Sequence, residues 1–465
     1  MASAVLNIPP ELLHMIFAPL SPSDLYAVSL MRRSWRSVAE PLLYAHVEWT
    51  WTKSHNPPIA QFLRSIVRRP ELASLVHTVI LNGDCFERSY YDYNKKSPKL
   101  PVSEGVLDEL VQCIERIHIP YGEKWIQELR AGTMDAFSTL LLSRLPNVKS
   151  LYLGLNFARE SRILGMMLRS ALCEERQESD LPSFTHLQDV LVVFPRPGNF
   201  IRRYTDYRNT ADALPLFYLP SVEQIRTVVD NPVTFKWPGE HPPNLPRLVS
   251  LDLTMLREGY LGQVLSATPR LRKLQWDWHY RPDLKDRFVT DIIDLDQIAA
   301  DLSRVQETLT DLTITAASDV SLADPELPTL TFRGSFKTFS GLHMLEKLEV
   351  PIPFLLGYSP WEPNVVGLEE ALPKSIQWLT VTDDLSLQYE WGWEFKTEYL
   401  LGAFRSWLQD WKKSTPRLQG IRLLSRVCPV QDWQPGMIEG FKDLGARAGI
   451  QAEVIERRRR MSGEM

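Results

Sequence analysis

The side chains able to do chemistry are present, but never at a spacing that lets them cooperate. The nine histidines, His14, His46, His55, His77, His118, His186, His241, His279 and His343, form neither an HExxH pattern nor an i, i+4 pair, so no zinc-hydrolase helix is encoded. Asp383-Asp384 and Glu369-Glu370 are adjacent carboxylates. Adjacent residues on a strand point to opposite faces, so neither pair is an acid/base couple by itself. No glycine-rich phosphate loop and no GxSxG elbow occurs. Cys85, Cys113, Cys173 and Cys428 are far apart with no CxxC spacing, which argues for reduced thiols and against structural zinc. The expectation is a chain with no catalytic residue, no metal site and no cofactor. What remains is recognition chemistry. Of the 14 tryptophans, Trp49/Trp51, Trp276/Trp278 and Trp391/Trp393 put two indoles on one side of an extended segment. Trp276 is expected in the core, whereas Trp391 and Trp393, in a polar segment, are candidate partner-facing anchors. The run Arg457 to Arg460 is either a solvated tail or a nuclear address.

Composition bounds the class. With 465 residues, 44% hydrophobic and 23% charged, the chain is globular and long enough for a small module beside a larger one. A net charge of −5 sets up no global field toward nucleic acid or an anionic membrane. Prolines interrupt the N-terminal apolar run, so no signal peptide is expected. No apolar stretch approaches the roughly 18 residues of a membrane helix. A cytoplasmic or nuclear location, or both, is expected.

The elements that must organise this chain begin at the front. Residues Asn7 to Tyr44 predict three short amphipathic helices. Pro10 suits a first helical position, and Leu12, Leu13, Ile16, Phe17 and Leu20 recur at helical spacing. Ser21 is placed to cap the second helix, with Pro22 after it and Asp24 reaching back. Leu25, Val28 and Met31 form the second stripe, and Trp35, Val38, Leu42 and Leu43 the third, with Pro41 expected to break or kink its end. So small a bundle buries little apolar surface and should lean on something else. These residues, from Ile8-Pro9-Pro10-Glu11-Leu12-Leu13 through Asp24-Leu25 and Arg32-Arg33-Ser34-Trp35-Arg36 to Pro41-Leu42-Leu43-Tyr44, resemble an F-box, with Ile8 in place of the more usual leucine.

Beyond Tyr44 a repeat appears, with apolar residues at i, i+3 and i+5 and often a Pro-x-Leu lead-in. LPNVKSLYL (Val148-Leu151-Leu153), LPRLVSLDL (Leu248-Leu251-Leu253), TPRLRKLQW (Leu271-Leu274-Trp276) and TPRLQGIRL (Leu418-Ile421-Leu423) are the clearest copies. Weaker ones begin at Val76, Leu187, Leu309, Leu345 and Ile376, and Val222-Ile225 is another candidate with Thr227 third. The last two positions alternate as a strand with one buried face. The pattern is similar to the leucine-rich repeat, LxxLxL. Asn156 falls at that family's asparagine position, while Pro195, Leu256, His279 and Ala317 occupy it elsewhere. From Val148 on, starts are 23 to 42 residues apart, against roughly 20–29 in regular arrays, and the wider interval after Val76 suggests an undetected unit. Helical spacing appears at Ile163 to Ala171, Ile292 to Ile298 and Leu400 to Trp411. The loops Ser89 to Pro101 and Pro195 to Thr210 are expected to be exposed insertions.

The fold expected is α/β: an F-box at 1–48, an irregular leucine-rich-repeat solenoid with a parallel sheet and outer helices at 49–455, and a disordered basic tail at 456–465. The short F-box followed by degenerate, proline-punctuated repeats resembles the F-box sets of filamentous fungi. The F-box resemblance implies docking on the Skp-type adaptor of an SCF (cullin-RING) ubiquitin ligase, and through it on cullin and RING subunits. Ile8, Pro9, Leu12, Leu13, Ile16, Leu20, Leu25 and Trp35 are the candidate adaptor contacts. Repeat geometry nominates the side chains between the buried leucines for a protein substrate: Tyr152, Arg226, Ser250, Asp252, Lys273, Gln275, Asp277, Thr313, Glu349, Thr380 and Arg422. Charges of both signs favour a protein surface over a phosphate backbone. The competing reading is an interaction scaffold acting outside a ligase.

Overall fold

The computed structural model describes residues 8–83, 86, 97–158, 162–174, 180–193, 209–280, 282, 290–318, 328–358, 365–386, 398–427 and 436–456. They fall into two compact units, the first reaching through the fourth strand and including Tyr218–Val222, the second holding the remainder.

The first unit opens with helices α1 (Pro10–Phe17), α2 (Pro22–Met31) and α3 (Arg33–Ala45). Pro10 stands in the first turn of α1 and Pro22 in that of α2. Ser21 Oγ accepts the Asp24 N–H at 3.2 Å and donates to the Asp24 carboxylate at 2.6 Å, a reciprocal cap of the kind that starts a helix cleanly. Pro41 does not break α3, which continues through it to Ala45. One missing N–H bond costs less than the packing that Ala39, Leu42 and Leu43 keep against α1 and α2.

Helix α3 runs straight into β1 (His46–Thr50), which pairs in parallel with β2 (Thr78–Asn82), then β3 (Ser150–Leu153) and β4 (Asp189–Val192). Between β1 and β2 lie α4 (Ile59–Arg68) and α5 (Pro70–Ala73). The wide interval before β3 holds no strand among the described residues. It is filled by α6 (Glu104–Glu115), α7 (Gly122–Arg130) and α8 (Met134–Ser143), the last buried along its whole length. After β3 come α9 (Leu155–Ala158) and α10 (Arg162–Leu172), the latter packed on α8.

The second unit repeats the scheme in sequence order: β5 (Gln224–Val228), β6 (Ser250–Thr254), β7 (Lys273–Tyr280), β9 (Asp311–Ser318), β11 (Lys347–Pro351), β12 (Trp378–Thr382), β13 (Gly420–Ser425) and β14 (Gln451–Glu456), each parallel to the next. A separate parallel pair joins β8 (Ile292–Asp294) to β10 (Thr331–Arg333). Ile292 and Ile293 therefore belong to a strand, and the helix expected there starts only at Leu295. Asp294 caps it by accepting the Gln297 N–H at 3.2 Å. The helices Arg162–Leu172 and Glu398–Gln409 match their predicted spacing.

The last two residues of every repeat triplet fall on a strand, and the first lies in the turn before it. Leu151/Leu153, Leu251/Leu253, Leu274/Trp276, Leu348/Val350, Leu379/Val381 and Ile421/Leu423 are buried, while the residues between them stay at least partly accessible, Thr380 excepted. Trp276 is fully enclosed, as its repeat position required, and Trp51 is packed edge-on against Phe86 and Phe157. Four strands lacked a recognised triplet: β1 and β14, and the separate pair β8 and β10. The loops, tryptophans and arginine tail singled out at residues 89–96, 195–208, 391, 393 and 457–460 lie outside the described residues, as do Cys85 and Cys428.

The helical module is tied to the first repeats. Arg69 donates from Nη1 and Nη2 to the two carboxylate oxygens of Glu40 at 2.7 and 3.0 Å, Tyr44 and Trp49 pack on Phe62, and the His77 N–H bonds the Ala45 carbonyl. The Arg69 hydrogen bond holds the Glu40 carboxyl below the ordinary glutamate value of 4.5. Folding therefore favours the ionised form, so the stabilisation is complete above the ordinary glutamate range and is lost as pH falls through the lower folded value. Thermal melts of wild type and Glu40→Gln should differ by about 1 kcal/mol or less at neutral pH, and the gap should close on acidification below about pH 4.5. A gap that widens in acid contradicts this assignment.

Candidate docking surfaces

Helices α1 and α2 each carry apolar residues on two sides. On one side Leu13, Phe17 and Leu25, 4–5% exposed, close around the fully buried Ala39, with Ile8, Leu20, Val28, Trp35, Val38, Leu42 and Leu43 packed against them. Trp35 meets Phe17 edge-on with ring centroids 5.8 Å apart, a favoured aromatic geometry. On the other side Leu12, Met15 and Ile16 of α1 and Tyr26, Leu30 and Met31 of α2 stand 51–71% exposed. Six of the ten exposed large apolar side chains among the described residues thus belong to twenty consecutive positions. Scattered exposed leucines need no explanation, but a concentration of this kind is a candidate interaction face.

Of the residues predicted for this surface, Leu12, Ile16 and Pro9 are exposed, and Ile8, Leu20 and Trp35 are half-buried. Leu13 and Leu25 are not on it. They belong to the module's own core, because i, i+3 and i+4 spacing places Leu12 and Ile16 on one side of α1 and Leu13 and Phe17 on another. Met15, Tyr26 and Leu30 were missed, and Met31, expected in the apolar stripe of α2 with Leu25 and Val28, is exposed instead. The signal for them was available: two interleaved apolar stripes on one short helix exceed what one core can absorb.

The second candidate surface is the polar face of the second unit's strands. In register, Arg226, Asp252, Gln275, Thr313, Glu349, Thr380, Arg422 and Glu453 form one row across β5 to β14. Lys273 belongs to the preceding row, between Ser250 and Asp311, and Asp277 to the following one, between Thr254 and Thr315. Tyr152, half-buried on β3, belongs to the first unit. Much of the row pairs with itself. Arg226 Nε meets Asp252 Oδ2 at 2.6 Å, and Arg422 Nε meets Glu453 Oε2 at 2.8 Å. Arg426 bridges Glu349 and Asp384, the latter at 3.0 Å, and Asp277 accepts the Thr315 hydroxyl at 2.6 Å. Asp277 and Thr380 are buried. One aromatic stands out that the sequence reading passed over. The Trp378 indole lies across Gly420, where an added Cβ would come within 2.5 Å of the ring, and the Arg422 guanidinium stacks on it at 4.0 Å. Glycine at 420 is what lets the ring lie flat.

Among the described residues the adjacent carboxylates Asp383 and Asp384 are taken up by structural contacts. Asp383 spends its carboxylate on the Ser425 hydroxyl and the N–H groups of Arg426 and Val427. Asp384 accepts from the Ala316 N–H and Arg426. Burial pushes the Cys173 thiol up to about 12 and the Cys113 thiol up as well, which leaves neither a thiolate nucleophile near neutral pH. Among the described residues no cluster of His, Cys, Asp and Glu is placed to hold a metal ion, and no helix is long and apolar enough to cross a membrane.

Family comparisons agree with this geometry. Residues 5–48 match the F-box-like family model, and residues 52–458 match a leucine-rich repeat domain model. The chain is an F-box/leucine-rich-repeat protein. No curated protein matches it. F-box domains generally bind Skp1-type adaptors, and repeat domains of this kind bind proteins.

The two apolar sides of α1 are separable by mutation. Leu13→Ala should destabilise the protein by about 2–4 kcal/mol. Leu12→Arg with Ile16→Arg should leave stability within about 0.5 kcal/mol, because both side chains already face water. Chemical denaturation of the three proteins checks this, and equal losses would mean that the outer side is packed.

Proposed function

We propose that the chain is the substrate-recognition subunit of an SCF ubiquitin ligase, with the outer side of α1 and α2 docking on the Skp-type adaptor and the repeat strands holding a protein target. The observation that carries this reading is the exposed apolar set Leu12, Met15, Ile16, Tyr26, Leu30 and Met31 on an F-box-like module whose own core is already complete without them. Burying such side chains is favourable by roughly 1.5–3 kcal/mol each, so an adaptor that covers several supplies ample affinity. Of the residues predicted as contacts, Ile8, Pro9, Leu12, Ile16 and Leu20 remain in the proposed set, with Trp35 bracing α3 against Phe17. Leu13 and Leu25 shape the surface from beneath.

The subunit performs no bond chemistry. It holds a lysine-bearing target near a ubiquitin-loaded E2, and proximity alone raises the effective concentration of the reacting groups. The direct passage of α3 into β1, locked by Glu40 and Arg69, supports this role, because a stiff junction between module and first repeat limits where a captured target can be held. The compartment that fits is the cytosol or the nucleus, where the ligase partners reside.

Affinity capture of the full chain from cells should recover adaptor and cullin together. Leu12→Arg with Ile16→Arg should lower adaptor recovery at least tenfold, since truncating or charging a central interface residue costs about 2 kcal/mol or more. Undiminished adaptor recovery sinks the docking assignment. Adaptor without cullin would instead favour a scaffold acting outside a ligase.

A further inference from the structure

The Pro-x-Leu lead-ins of the repeats carry a feature that adaptor docking leaves unused: the middle residue is basic. Arg247, Arg270 and Arg417 each stand between a proline and the first buried leucine of a repeat, and Lys374 follows the proline that leads into β12. All four are exposed. In the second unit Arg247 and Arg270 occupy equivalent positions in adjacent turns, which are joined by the Leu245 N–H to the Ala267 carbonyl at 2.9 Å. Arg272 and Lys273 follow immediately, both donating their backbone N–H to the Val249 carbonyl. Neighbouring strands lie roughly 4.8 Å apart, so four exposed cationic side chains gather on the lead-ins of two adjacent strands, at the end where β6 and β7 begin.

Asp311 lies opposite Lys273 in the sheet without an ion pair between them. Among the described residues, none of Arg247, Arg270, Arg272 and Lys273 takes part in an ion pair. The carboxylates in the flanking registers are Glu223 before β5 and Asp311 on β9, and Asp311 is already engaged by Lys347 at 3.2 Å and the Thr310 hydroxyl at 2.7 Å. In a chain of net charge −5, whose polar strand row is largely self-paired, this is a local excess of positive charge. Clustered like charges repel, and an oppositely charged partner relieves that repulsion.

We propose that the rim formed by Arg247, Arg270, Arg272 and Lys273 binds an acidic, carboxylate-rich segment of a protein partner. The extent of the patch favours a peptide over nucleic acid. The lead-ins of two adjacent strands accommodate two or three carboxylates of an extended chain, whereas nucleic-acid grooves track the backbone over roughly 4–16 nucleotides and add stacking aromatics, and none of the four rim residues is aromatic. Arginine presents a planar fork suited to carboxylate oxygens. The proposal rests on reading the repeat region as the partner-binding part of the chain and specifies what that part selects.

Fluorescence anisotropy on the purified full chain tests it without the ligase. A labelled 12-residue peptide alternating Glu with Ser should bind, and its Gln counterpart should not. Arg247→Ser with Arg270→Ser and Lys273→Ser should weaken binding about tenfold, three exposed charge contacts at a few-fold each, and raising the salt should weaken the wild type similarly. All three positions are solvent-facing, so unchanged thermal melts are expected for the variant. Equal binding of the Gln peptide, unchanged affinity in the triple variant, or displacement of the acidic peptide by a stoichiometric single-stranded oligonucleotide would each overturn the proposal. Adaptor capture by the same triple variant should be unaffected, so failure of the rim and failure of the ligase reading give different results.

Discussion

A parallel strand that turns leucines to one side and polar residues to the other cannot be satisfied alone. Its N–H and C=O groups need a neighbour along each edge, and its apolar side needs a helix layer. In both units the neighbour is the strand of the next repeat, whether the repeat starts lie 23 or 42 residues apart and even where β8 or β10 intervenes. Insertions are tolerated because closing a longer loop adds little entropy cost. The stretch before β3 shows this, with three helices accommodated while β2 and β3 remain paired, Val79 opposite Leu151.

The position eight residues into each unit shows how a degenerate repeat keeps a structural role while changing its chemistry. Asn156 donates to the Trp51 carbonyl at 2.8 Å. In the unit of β5 the position is Asp230, which accepts the Asn209 N–H at 2.9 Å, and the next residue, Asn231, bonds both the Met255 carbonyl and the Arg257 N–H. In the units of β12 and β13 it is Asp384 and Arg426, which face each other as a largely buried ion pair. The common requirement is that backbone groups at the strand ends be satisfied where water is excluded. An amide, a carboxylate with an amide beside it, and a guanidinium–carboxylate pair all meet it.

The helical module follows the opposite logic. Its core closes with four buried side chains, Leu13, Phe17, Leu25 and Ala39, and Leu12, Met15 and Ile16 of α1 and Tyr26, Leu30 and Met31 of α2 stay outside it. Attachment to the repeats through Glu40, Arg69, Tyr44 and Phe62 uses only α3 and leaves α1 and α2 open. Stability of the module and availability of its outer face are thus supplied by different helices.

Local spacing alone determined a great deal: the three front helices and their Ser21 cap, the placement on strands of the last two positions of ten repeat triplets, the enclosure of Trp276, and the parallel α/β class. Those features depend on periods of 3.6 and 2 residues, which any reader of the chain can count. Tertiary structure decided the rest. That Leu12 faces water while Leu13 does not depends on how large the bundle's core is. That Pro41 stays inside α3 depends on packing outweighing one lost hydrogen bond, and that β14 joins the sheet without the repeat signature depends on the open edge of β13. The row linking Arg226 to Glu453 and the Trp378–Gly420–Arg422 stack exist only once residues tens of positions apart are brought into register. Periodicity tells a side chain which way to point, but only the neighbouring strand or helix determines what it finds there.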